Sequence, residues 1–163
     1  MKSHRHIQSL AAVLLAGTIG FAQAQTAAPY VGASLGDTDL GTGIRAFGGA
    51  AITNTFGWEA QLTSFGSQSV INCKTSAWAL GGGGTAKAPL SPVISVYGKA
   101  GLHYVKSKLS GCGIFNASNS DVEVGIGAGL LWNFSPKAAL RVEFESIGGN
   151  GGDFISVGVQ IPL

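Results

Sequence analysis

Eight stretches of this chain, at about 29–36, 43–53, 56–65, 75–86, 92–106, 120–134, 137–147 and 154–163, alternate apolar and polar residues with a period of two. Successive side chains of a β-strand point to opposite faces, so such a stretch makes a sheet with one apolar and one polar face. Trp58, Ala60 and Leu62 fall on one face, with Glu59, Gln61 and Thr63 on the other. Leu140, Val142 and Phe144 stand opposite Arg141, Glu143 and Glu145; Val157, Val159, Ile161 and Leu163 stand opposite Ser156, Gly158 and Gln160. Val124, Ile126, Ala128, Leu130 and Trp132 oppose Glu123, Gly125, Gly127, Gly129 and Asn133. After residue 24 no stretch reaches the roughly 18 consecutive apolar residues of a membrane-spanning helix.

The start of the chain reads as an export signal. Lys2 and Arg5 precede an apolar run from Leu10 to Phe21, and Ala22-Gln23-Ala24 is a small-x-small cleavage site. This divides the chain into a signal peptide, 1–24, and one domain, 25–163, with a mature start at Gln25. The eight acidic residues all lie in the domain, and the ten basic ones less Lys2 and Arg5 balance them. A neutral domain gives no reason to expect nucleic acid or an acidic substrate. It is unusually rich in glycine, with 24 once Gly17 and Gly20 leave with the signal.

An exported, apolar, all-β domain is either a secreted sandwich or a barrel in the bacterial cell outer membrane. Three features favour the barrel. Glycines crowd the polar face, as suits a packed interior better than a solvated surface. Connections alternate between tight (53–55, 135–136) and long and polar (66–74, 107–119), the pattern of short periplasmic turns and longer external loops. Trp58, Trp78, Tyr104, Trp132 and Phe134 sit near strand ends, where interfacial girdles lie. The expected fold is therefore all-β: an eight-stranded antiparallel up-and-down transmembrane barrel with both termini in the periplasm. Closure satisfies every backbone N–H and C=O without water. Eight strands leave an interior that side chains fill, which excludes a wide diffusion pore.

Arg45-Ala-Phe-Gly-Gly49, a tight turn and Phe56-Gly-Trp-Glu-Ala60 resemble the second and third strands of the OmpA transmembrane domain. Asn133-Phe-Ser-Pro-Lys137 leading to Leu140-Arg-Val-Glu-Phe144 resembles its sixth turn and seventh strand, and Ile155-Ser-Val-Gly-Val159 its last strand. The resemblance covers nearly the whole domain. It implies a barrel whose polar interior is crossed by ion pairs, with Glu59 matching the third-strand acid and Arg141 the arginine paired with it. The family's sixth-strand acid falls on Leu131 and its fourth-strand lysine within Gly81–Gly84, so one pair is kept and the other removed. The family's terminal Phe, part of the assembly signal carried here by Val157, Val159 and Ile161, is Leu163.

Charged residues on the inward face make the candidate site: Arg45, Glu59, Lys99, Glu123, Arg141, Glu143 and Glu145. They divide into a middle or lower tier of Glu59, Lys99, Arg141 and Glu143, and an outer tier of Arg45, Glu123 and Glu145. Buried charges must pair, so these read as a structural network rather than a catalytic one. His103 is the only histidine of the domain, and Val105 stands where a His-x-Ser pair of a lipid-modifying barrel would need serine. One histidine and two distant cysteines make no zinc site. Gly125-Ile-Gly-Ala-Gly-Leu130 fails a dinucleotide fingerprint at its last position, and Gly81–Gly84 lacks the order of a phosphate loop. Cys73 and Cys112 fall in two predicted external loops in an oxidising compartment, which points to a disulfide.

No cofactor, metal or catalytic group is expected. The expected partners are outer-membrane lipid and lipopolysaccharide, with periplasmic chaperones and the barrel-assembly machinery during biogenesis. Nothing in the sequence indicates a surface ligand. The expected role is a structural or surface-interaction barrel, not an enzyme, with a small ion-conducting channel as the alternative and a lipid-modifying enzyme behind it.

Overall fold

The computed structural model describes residues 29–70, 73–111, 117–149 and 151–163. The segment 1–24, with Ala22 and Ala24 of the expected cleavage site, lies outside the described residues, as does Cys112. Eight strands follow one another: β1 (Pro29–Thr38), β2 (Gly41–Ala51), β3 (Phe56–Val70), β4 (Cys73–Pro89), β5 (Ile94–Ser110), β6 (Ala117–Ser135), β7 (Ala138–Ile147) and β8 (Gly152–Pro162). Each pairs antiparallel with its neighbours, and β1 pairs with β8 to close the barrel. Leu163 adds a last N–H to the Pro29 carbonyl at 2.9 Å, so the first described residue and the chain end meet at one rim.

Alternation sets which face each residue takes. Leu62, Leu80, Leu102, Ile126, Leu130, Val142, Val157, Val159 and Ile161 all point out of the barrel and stay exposed, so the outer wall is a continuous apolar belt. Two aromatic groups bound it. Trp132 and Phe134 stand edge to face at 6.1 Å near the rim of the termini, where Trp58 also lies, and Trp78 packs against Tyr104 at 6.0 Å toward the other end. On β6 the belt runs from Val122 to Trp132, eleven residues, about 33 Å along the strand and roughly 25 Å across the barrel at the usual tilt. That matches the lipid-facing band of an outer-membrane barrel.

The strands differ from the sequence expectation at the end away from the termini. The described residues of the expected loops 66–74 and 107–119 are nearly all strand: β3 and β4 stay paired to Val70–Cys73, and β5 and β6 to Leu109–Ala117. Trp78 and Tyr104 consequently lie well inside their strands. Ladder hydrogen bonds are indifferent to side-chain polarity, so a hairpin continues past the apolar belt where the Ser- and Lys-rich composition reads as loop. A register shift between Ser64 and Ser67, with Gly66 at φ 84°, carries β3 into this extension. Strands β3 to β6 have 15, 17, 17 and 19 residues, whereas β1, β2, β7 and β8 have 10 or 11. One side of the barrel therefore rises above the other as a four-stranded wall.

Candidate functional site: a filled lumen in three storeys

Inward residues of all eight strands fill the barrel. Nearest the rim of the termini, Tyr97, Leu131 and Ala139 form a small apolar cluster beside a vestibule of about 220 Å³. In the middle stand three cations and three carboxylates. Above them Phe65, Ala77, Ala79, Val105, Ile147 and Phe154 close the lumen as an apolar plug, with Leu40 packed against it. Phe65 and Phe154 meet edge to face at 6.5 Å.

The ionic storey is one connected cluster. Arg141 grips Glu59 in a two-pronged contact, Nη1 to Oε2 at 2.5 Å and Nη2 to Oε1 at 2.9 Å, the strong fork geometry of a guanidinium on a carboxylate. Its Nε donates to the Tyr97 hydroxyl at 2.5 Å and to Glu143 Oε2 at 2.9 Å. The guanidinium lies over two rings, 4.2 Å from the centroid of Phe47 and 4.5 Å from that of Tyr97. Arg45 reaches Glu143 and Glu145 with its two terminal nitrogens, donates Nε to Thr63 Oγ1 at 3.0 Å and stacks 4.4 Å from the Phe154 centroid. Lys99 sits between the two groups: 2.6 Å from Glu143, 3.0 Å from Glu145 and 3.5 Å from Glu59. Gln61 accepts from Lys99 at 2.5 Å and donates to Glu145 at 2.8 Å, and Tyr30 donates to Glu59 at 2.9 Å.

Six of the seven expected interior charges thus meet, but not as expected. There are no separate tiers, because Glu143 touches Arg45, Lys99 and Arg141 together. Nor is Glu59–Arg141 an isolated survivor. Leu131 does turn inward as an apolar residue and the glycine run supplies no lysine, yet Arg45, Lys99, Glu143 and Glu145 build a second set of pairs. Glu123 stays out of the cluster. It faces inward opposite His103, but its carboxylate lies against Gly148 and Gly149 at the far rim, only half-buried and in no ion pair among the described residues.

Interior glycines make room for these large side chains. A Cβ at Gly127 would lie 3.0 Å from the Lys99 chain, and one at Gly129 2.6 Å from the Tyr97 hydroxyl. His103 occupies the space left by Gly81 and Gly125, where added Cβ atoms would come within 2.0 and 2.5 Å of its ring nitrogens. It is buried, with Nε2 3.6 Å from Glu145. Sequence reasoning missed Tyr30, Phe47, Gln61, Thr63 and Tyr97 as members of the site. Phe47, Gln61, Thr63 and Tyr97 share the inward parity of a charged residue on their own strands, which was the signal available; β1 carries no charged residue on the face of Tyr30, so nothing marked that one.

Elsewhere, Val157, Val159 and Ile161 line the outer face of the last strand and Leu163 follows it, all exposed. Cys73 opens β4. No group of three or more metal-ligating side chains exists among the described residues, and no helix among them is long and apolar enough to cross a membrane, which says nothing of strands.

No curated protein sequence matches the chain. Solved structures that resemble it include Neisserial surface protein A, at a TM-score of 0.65 and 16% identity, covering 83% of this chain and 97% of that one. The N-terminal β-barrel domain of Pseudomonas aeruginosa OprF gives 0.64 and 14%, covering 86% and 100%. Ail, the attachment invasion locus protein of Yersinia pestis, gives 0.58 and 16%, covering 84% and 97%. The family model for the outer membrane protein beta-barrel domain matches residues 9–160, and with a closed eight-stranded barrel belted in apolar side chains, the chain belongs to that outer-membrane family.

Proposed function

We propose that this protein is a non-conducting outer-membrane barrel whose working part is the strand wall it raises above the membrane. The observation that carries the reading is the filled lumen. Phe65, Val105 and Phe154 are at most 1% exposed and lie directly above the ion cluster, so water and ions meet a packed apolar layer. In planar bilayers the folded protein should give no steady single-channel conductance at moderate voltage. A reproducible ohmic step would favour the alternative of a small ion channel. Enzymatic chemistry on lipid is disfavoured by His103, which is enclosed between Gly81 and Gly125 inside the lumen rather than facing the belt.

The signal peptide of residues 1–24 directs export, and the chain enters the membrane through periplasmic chaperones and the assembly machinery, with the exposed β8 stripe as its assembly signal. The termini and the short turns 52–55, 90–93 and 136–137 then face the periplasm, and the long hairpins face outward, in contact with lipopolysaccharide. A Cys73–Cys112 disulfide ties the two hairpins. The register supports it: Lys74 pairs with Ser110, two residues before Cys112 in the chain, and no free thiol is found among the described residues. Thiol labelling of unfolded, unreduced protein should therefore modify neither cysteine. Quantitative labelling of both would overturn the bond.

A further inference from the structure

The wall above the belt sorts its charges by face. On the outer face, β4 presents Lys74 and Ser76 above Trp78, β5 presents Lys106 and Lys108 above Tyr104, and β6 presents Ser118 and Ser120 above Val122; all but the half-buried Ser76 are exposed. The register sets these side by side, with Ser76 opposite Lys108, Lys108 opposite Ser118, and Lys106 between Trp78 and Ser120. Lys106 and Lys108 are two residues apart on one strand, about 7 Å, and Lys74 is diagonal to Lys108 at roughly the same distance. Carboxylates of the wall, Asp121 and Glu123, pair in register with Val105 and His103 and so take the other face. None of the three lysines is in an ion pair among the described residues.

The geometry points to a binding surface for the phosphorylated sugar headgroup of an outer-leaflet glycolipid, recognised by Lys74, Lys106 and Lys108 with serine hydroxyls between them. Height decides the occupant. Trp78 and Tyr104 mark the edge of the hydrocarbon layer, and the first lysine stands level with Trp78 in the ladder. A ligand there is already anchored in the same membrane, and ammonium groups spaced about 7 Å apart with hydroxyl donors between them suit phosphates on a sugar backbone. Acids held on the opposite face remove the repulsion that would reject such an anion.

This inference rests on the outward placement of the wall, and the test separates the two. Folded protein in phosphatidylcholine nanodiscs, where both faces are open to solvent, is titrated with fluorescent lipopolysaccharide or with the same material after chemical dephosphorylation. The unaltered chain should bind the phosphorylated form and hardly the dephosphorylated one. The K74Q/K106Q/K108Q triple variant should bind roughly a hundredfold more weakly. K87Q/K137Q, altered at the other end of the barrel, should bind as the unaltered chain does. Each protein is first shown to be folded by its heat-modifiable mobility. Equal binding of both lipopolysaccharide forms, or equal binding by the triple variant, would overturn the proposal. Separately, Asn119→Cys, exposed on the face of the wall away from the lysines, should react with an impermeant maleimide on intact cells. Reaction only after permeabilisation would overturn the outward placement and with it the inference, even if nanodisc binding were intact.

Discussion

Arg141→Met is expected to destabilise the barrel by about 3–5 kcal/mol, because it strands charged carboxylates in a desolvated interior. Glu59 would lose both prongs of its guanidinium, and Glu143 would keep Arg45, Lys99 and the Tyr97 hydroxyl. Two cations would then face three anions. Glu59→Gln should cost less, since Arg141 keeps Glu143, the Tyr97 hydroxyl and two ring faces. The double variant leaves Arg45 and Lys99 against Glu143 and Glu145, a balanced set, and should recover part of the loss. Urea unfolding in lipid vesicles measures all three. Strictly additive effects would show that these side chains do not act together.

Two neighbouring glycines should respond in opposite ways. A Cβ at Gly83 would fall 2.1 Å from the Ala100 carbonyl oxygen and 2.5 Å from the Gly101 Cα, both backbone, while one at Gly84 meets nothing within 4 Å. Backbone cannot step aside as a side-chain tip can, so Gly83→Ala must push β4 from β5. It should cost at least the ~1–3 kcal/mol typical of overpacking, and folded yield should fall. Gly84→Ala should be neutral or slightly stabilising, by about 0.4–1 kcal/mol, through the unfolded chain. The folded fraction by heat-modifiable mobility reads both. Equal behaviour of the two variants would mean that β4 is not seated in this register.

Parity along a strand is legible in sequence because one residue in two must face lipid, and Trp58–Glu59–Ala60 and Leu140–Arg141–Val142 show it at once. Partners across the lumen are a different matter. That Arg45 of β2 meets Glu143 and Glu145 of β7 depends on strand tilt and the closure of the barrel, which no local pattern carries. Glu123 shows the same limit from the other side: its parity is right, but its height places it at the rim, above the cluster. The strand extensions were hidden for another reason. Lys74, Ser76, Lys106 and Lys108 alternate in no hydropathy pattern because both faces of the wall lie beyond the belt, and only the backbone ladder continues there. Tyr97 and Phe47 are not legible as site residues because aromatic side chains inside a barrel look like any other strand residue until a guanidinium is seen over them.

The account stands on the apolar stripe meeting lipid while the wall above it meets water. Nitroxide labels at Leu130, Val157 and Val159, and one at Lys108, test this directly in vesicles, by comparing collision with oxygen, which concentrates in lipid, and with a water-soluble nickel chelate. The three belt positions should favour oxygen strongly, and Lys108 should favour nickel. Nickel access at Leu130, Val157 and Val159 equal to that at Lys108 would contradict the membrane-spanning barrel.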